Sequence, residues 1–263
     1  MSKSEKAYAA SSAPGSGSRT YVVGMTVGSV GKSTLARHVL LAHMPAARLL
    51  AVESATPTGQ EADLYQRGQD QVREALRFEL FAPAPGGKII DCGVTDSELV
   101  ASVVTEIATI GRAGHVTVVL PVLVEAKGLR GLEHFGAQLP AGVRKVAILC
   151  QVDDEGADKK FRAGKYGQAV EAYCAEHDIA LCPVAFLRSD LLDDNTTVHK
   201  VALSGRTLAE VGSIDLDAIA SVGGDEKDRA TRAQLGFLIG AAAMAPAAIA
   251  NTKAIYDWIG GQE

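Results

Sequence analysis

Gly28-Ser29-Val30-Gly31-Lys32-Ser33-Thr34 is the stretch of this chain best equipped for chemistry. Glycine-bearing backbone can turn its N–H groups onto an anion, a helix N-terminus adds a favourable dipole, and a lysine supplies a mobile positive charge. The flanks suit that purpose. The apolar run Tyr21-Val22-Val23 reads as a strand entering the loop, and Leu35-Ala36-Arg37-His38-Val39-Leu40-Leu41 reads as the helix leaving it. Strand, loop and helix in that order predict a phosphate-binding loop in which Gly28 through Thr34 bind a nucleotide, Lys32 acts on its phosphates and the Ser33 hydroxyl holds Mg²⁺. The match to GxxxxGK[ST] is imperfect, because Thr26 stands five positions before Gly31 where a glycine is usual.

A metal-bound triphosphate also needs an acidic partner at the tip of a neighbouring strand. Asp91 closes the run Lys88-Ile89-Ile90, and Gly93 follows two residues later, so Asp91 is the expected metal and catalytic carboxylate beside Ser33. Base recognition is expected after the apolar run Val146–Cys150, at Gln151-Val152-Asp153-Asp154. The Gln151 amide both donates and accepts, which suits adenine. The guanine-reading sequence Asn-Lys-x-Asp lacks its Asn and Lys here, although Asp154 falls at the Asp position, so ATP is preferred over GTP.

Other clusters carry less. Lys159, Lys160, Arg162 and Lys165 form the densest basic group, and Lys159 and Arg162 share a face of the helix expected there. DNA phosphates could dock on it, against the commoner reading of a solvated face. His38 and His43 lie five apart on the first helix, a poor ligand geometry that favours packing or solvent. Cys92 beside Asp91 reads as a small packing residue rather than a nucleophile. The four cysteines form no CxxC pair, which suits a reducing cytoplasm and makes a zinc site or disulfide framework improbable.

These residues need a scaffold. Apolar runs of strand length alternate with helical stretches, the pattern of a mainly parallel α/β sheet with helices on both faces. The expected strands are 20–23, 48–52, 88–91, 116–120, 146–151 and 179–183, and the expected helices 33–44, 59–78, 97–111, 126–139, 159–177 and 196–210. At 263 residues the chain can bury a full core in one domain, assigned to 19–212. The Ser-, Ala- and Gly-rich 1–18 reads as a disordered tail without a signal-peptide core. A helical extension is expected over 213–263, where the apolar 233–250 suits packing on the domain or a second subunit better than a membrane span or interfacial anchor. A formal net charge of −5 argues against coating nucleic acid through overall charge.

The loop resembles the deviant KGGVGK[ST] loop of the ParA/MinD family of P-loop ATPases, with Val30 to Thr34 in register. Two positions differ. Val27 replaces the family's signature lysine and Ser29 its second glycine. Asp91-Cys92-Gly93-Val94-Thr95 looks like the family's strand-end Asp and switch loop, and Pro183–Asp190 like its turn beside the base, which implies that Arg188 lines the base pocket. Where the family carries two aspartates one residue apart before a proline, this chain has Glu53 and Ala55 before Pro57, implying a water-positioning or metal-shell role for Glu53. The resemblance implies a cytoplasmic, ATP-switched, Mg²⁺-dependent protein that hydrolyses slowly and forms a homodimer. Such proteins act in plasmid or DNA partition, stability or conjugation, with a DNA-binding or transfer-machinery protein as partner. A small-molecule kinase or ATP-dependent ligase shares the loop and sheet, and Val27 and Ala55 also suit a nucleotide-binding adaptor with reduced catalysis.

Overall fold

The computed structural model describes residues 19–52, 69–221 and 229–261. The expected tail 1–18, Glu53 with Ala55, and the first part of the helix expected over 59–78 lie outside the described residues. Seven strands are described: β1 (Thr20–Val23), β2 (Arg48–Val52), β3 (Lys88–Cys92), β4 (Val116–Leu123), β5 (Arg144–Val152), β6 (Ala180–Leu181) and β7 (Phe186–Leu187). They form one sheet in the order β2-β3-β1-β4-β5-β6, with β7 also on β5, and each pairing is parallel. The α/β reading with a parallel sheet holds.

Strands buried on both faces send alternate side chains into separate cores. Val22, Ile90, Val118 and Leu120 enter one cluster, which also holds residues of α2 (Gln69–Phe81), α3 (Ser97–Thr109), α4 (Ala126–Gly136) and, after α5 (Glu155–Ala163), of α6 (Lys165–Glu176). Tyr21, Val23, Ile89 and Val119 enter the other. There they meet α1 (Lys32–Leu35), its π-helical continuation Ala36–Leu41, α7 (Thr197–Ala202) and α8 (Leu208–Gly212). After α9 (Leu216–Ser221), α10 (Arg229–Gly261) crosses the same face. Among its buried positions, Ala241, Ala245, Ala248, Thr252, Ile255 and Ile259 alternate by four and three, one stripe of a helix that Ala242 flanks. Small side chains let that stripe lie close. The segment Arg232–Gly261 is also long and apolar enough to cross a membrane, by length and composition alone.

Three expectations are corrected. The helix expected over 159–177 is two helices, because Gly164 adopts extended angles (φ −85°, ψ 167°) between α5 and α6. Lys159 and Arg162 therefore do not share a continuous basic face with Lys165, and Arg162 is committed inward. Its guanidinium pairs with Asp158 at 2.9 Å and donates to the Cys182 carbonyl at 2.9 Å. The helix expected over 196–210 breaks after Ala202 and restarts at a reciprocal cap, in which Thr207 accepts from the Glu210 amide and Glu210 accepts from the Thr207 amide. The short β7 is a strand beyond those expected.

Charged residues open β3 and β5 from inside the protein. The Lys88 ammonium donates to the carbonyls of Glu79 and Ala82 near the end of α2, each at 2.8 Å, and pairs with the Glu79 carboxylate at 2.7 Å. Lys145 donates to the His177 carbonyl after α6 at 2.8 Å. Each cation sits where a helix C-terminus is electronegative and its carbonyls lack intrahelical donors. Lys88→Met keeps the aliphatic stem but strips the buried Glu79 carboxylate of its nearest cation, which is expected to cost about 3 kcal/mol. Urea unfolding measures this, and a loss below about 1 kcal/mol would contradict the buried pairing.

Candidate functional site

The carboxyl ends of β2, β3, β5 and β7 open onto a cavity of about 730 Å³. Parallel sheets place ligands at that edge, and the volume falls within the range of small-molecule sites. One wall is the loop after β1, from Ser29 to Thr34. Asp91, Cys92 and Gly93 come from the end of β3, Gln151 from β5, and Phe186 to Asp190 from β7 and its loop. Of the residues singled out from sequence, Ser29, Val30, Gly31, Lys32, Ser33, Thr34, Asp91, Gln151 and Arg188 share this cavity. Gly28 is exposed and is not part of its lining. Glu53 falls beyond the described part of β2, whose Ala51 reaches the wall.

The loop has the backbone a cradle requires. Ser29 and Gly31 both take left-handed angles, φ 56° and 86°. Gly31 is the N-cap of α1 and its carbonyl accepts the first helical bond, from Leu35 at 2.9 Å, so the first amides of α1 lie against the cavity wall. Lys32 is 9% exposed, and its ammonium donates to the Val27 carbonyl at 3.2 Å, folding back over the loop. The buried Lys32 ammonium and the Asp91 carboxylate thus line the same cavity. Cys92 senses both charges there. Its thiol is pushed well above the ordinary range by burial first and then by Asp91 and Asp96, with Lys32 opposing, so it is an inert packing group rather than a nucleophile.

Sequence reasoning missed several residues that hold this wall. The Ser97 hydroxyl lies 3.0 Å from the carbonyls of both Met25 and Gly93, which share its one proton, tying the stem of the loop after β1 to the loop after Asp91. The Gly93 amide donates to the Val52 carbonyl at 2.6 Å, which binds that loop to the end of β2. Val27 packs inward: a Cβ placed on Gly131 of α4 would come within 2.5 Å of its Cγ2. Only glycine at 131 admits the loop so close. Val27 is thus turned against α4.

The side of the cavity across from that loop is assembled from distant chain. The Gln151 amide nitrogen donates to the Ser29 carbonyl. Arg188 reaches Asp153 at 3.4 Å with both side chains well exposed, a pairing of little energetic weight. The loop after it rests on His199, whose Nδ1 lies 2.9 Å from the Leu191 carbonyl and whose ring meets His38 edge-on at 5.6 Å. His43 stacks on Tyr256 of α10 at 5.2 Å, so both histidines of the first helix serve packing.

No protein-family model and no curated protein matches the chain. Among solved structures it is similar to the Cyanothece McdA–ATP complex, at 14% identity and a TM-score of 0.38, over 89% of this chain and 98% of that one. It is also similar to 1-deoxy-D-xylulose 5-phosphate reductoisomerase from Zymomonas mobilis in complex with NADPH, at 15% identity and a TM-score of 0.25, over 87% of this chain and 58% of that one. Function is therefore read from the cavity itself.

Two outcomes follow from this geometry. A Cβ at Gly31 meets nothing within 4 Å, so Gly31→Ala has no steric cost and isolates the strain of the left-handed angle. Stability is expected to fall by about 1–2 kcal/mol in urea unfolding, and an unchanged midpoint would contradict the turn. Burial, then His199 and Arg37, lowers the pKa of His38 from 6.5 to about 4. Below its unfolded pKa the unfolded chain takes up a proton that the native chain refuses, so stability is full above that value and falls as pH drops toward the folded one. The loss reaches about 3 kcal/mol, and His38→Phe should flatten this part of the pH profile; an unaltered slope would contradict it.

Proposed function

We propose that the chain is an ATP-binding switch protein of the ParA/MinD type, with slow Mg²⁺-dependent hydrolysis. The observation that carries the reading is a buried lysine, Lys32, at a left-handed loop opening a helix, in the same cavity as the strand-end carboxylate Asp91. Main-chain amides from Ser29 to Thr34 and the Lys32 ammonium would grip the β- and γ-phosphates. The Ser33 hydroxyl and Asp91 carboxylate are hard oxygen donors lining the same cavity and fit Mg²⁺, which prefers such ligands and would neutralise phosphate charge when bound. Gln151 through its carbonyl oxygen, and Arg188 beside it, would face the base. Gly93, tied to Ser97 and Val52, would report loss of the γ-phosphate along β2 and α3. A cytoplasmic role in DNA partition, plasmid stability or conjugation, as a homodimer with a DNA-binding or transfer-machinery partner, is the use that the loop sequence suggests.

The inward packing of Val27 favours one variant of this reading. A lysine at that position could reach across a dimer to the partner's nucleotide, whereas Val27 is held against α4. The chain then binds nucleotide tightly and turns it over little, closer to an adaptor than to an efficient ATPase.

Lys32→Ala removes a charge-assisted contact to phosphate, and calorimetry should show ATP affinity falling by about 1.5–3 kcal/mol, roughly ten- to 150-fold. Unchanged affinity would remove the site assignment.

A further inference from the structure

We propose that Gln151 is a positioning residue for the phosphate loop, acting through the Ser29 carbonyl whatever base is bound. The proposal rests on the reading of the cavity as a phosphate site. It begins with a fault in the sheet. Along β5, Cys150 lies opposite Phe186 of β7 and Val152 opposite Leu187, so Gln151 is one residue more than β7 can match. The side chains record the same insertion. Residues two apart in a strand normally share a face, yet Cys150 packs in one hydrophobic cluster and Val152 in the other. Gln151 itself takes φ 59°, a left-handed angle outside the strand. A bulge of this kind re-aims a side chain, and here it sends the carboxamide of Gln151 to the loop after β1.

Its target is also strained. Ser29 is held at φ 56°, where an L side chain is unfavourable and where glycine would be at ease. The Gln151 amide donates to the carbonyl of that same residue. Because the following peptide is planar and trans, fixing the direction of the Ser29 carbonyl also fixes the direction of the Val30 N–H. One side-chain donor thus orients a main-chain donor of the proposed cradle. Two strained non-glycine residues joined across a cavity by a single hydrogen bond are an arrangement that the surroundings must sustain.

The sustaining element is α10. Asn251 accepts from the Leu187 amide at 3.1 Å and donates to the Ala185 carbonyl at 2.9 Å, gripping the β7 segment from the side away from β5. With β7 so held, its two residues keep their partners at Cys150 and Val152, and the surplus residue stays out of register. Asn251 therefore supports the Gln151 geometry from behind the wall, bonded to Leu187 without itself lining the cavity.

The test uses the full chain with Gln151→Ala and Ser29→Gly, singly and combined, and titrates ATP and inorganic tripolyphosphate by calorimetry. Gln151→Ala should weaken tripolyphosphate by about three- to tenfold, as expected for loss of one hydrogen bond, and ATP by at least that factor. In the Ser29→Gly background the same change should cost less than about twofold, because glycine holds the left-handed angle unaided. Loss of ATP affinity with tripolyphosphate unaffected makes Gln151 a base reader and overturns the proposal, as does an equal loss in both backgrounds. Failure of the phosphate-site reading looks different: the unsubstituted chain would bind neither probe. Urea stability then decides, since the two substitutions must be non-additive if the contact holds the loop, and additivity overturns it.

Discussion

Two left-handed residues within three positions, Ser29 and Gly31, set the direction in which α1 leaves β1. Everything proposed for the cavity depends on that reversal. It ends the strand, starts the helix with its amides at the carboxyl edge of the sheet, and lays Lys32 along the wall instead of into solvent. Because β1 sits between β3 and β4, the loop emerges directly beside the strand that carries Asp91 near its carboxyl end. A cationic donor set and a carboxylate are thereby brought to one cavity by sheet order alone. Gly31 meets the backbone demand by its type; Ser29 does not, and depends on what holds it.

The surroundings supply that hold from both faces of the sheet. On one side Ser97 ties the loop stem to the segment after Asp91, and Gly131 lets α4 close on Val27. On the other, α10 lies over the first helix and over β7 with a stripe of mainly small residues, close enough for Asn251 to bond main chain and for His43 to stack on Tyr256. The C-terminal helix is thus continuous with the architecture of the cavity. Its apolar composition is partly explained by this seam, where Ala241, Ala245 and Ala248 are buried against the second core.

Much of this is legible in the residues. The turn between β1 and α1, strands that close within one residue of Asp91 and Gln151, and the α/β alternation all rest on local pattern, and local pattern survives folding. What escapes is of another kind. The break at Gly164 and the restart at Thr207 have local signals, a glycine and a Thr-x-x-Glu box, that longer helical periodicity outweighs. β7 is two residues long and exists because β5 and Asn251 grip it, so no periodicity announces it. The place of Gln151 after a strand suggests a base contact, whereas its donor goes to Ser29 because of a bulge that no single segment encodes. Asn251 and Ser97 act on chain 64 and 72 residues away, a relation invisible along the sequence.

The central claim is that this cavity recognises a triphosphate through the loop after β1. Its most direct test is calorimetric titration of the chain with ATP and with AMP in the presence of Mg²⁺. The same base and sugar are offered in both, so the difference isolates the β- and γ-phosphates. ATP is predicted to bind more tightly by about 3 kcal/mol or more, at least a hundredfold, because AMP lacks the phosphates that several charge-assisted hydrogen bonds would grip. Equal affinities, or AMP the tighter ligand, would contradict the account.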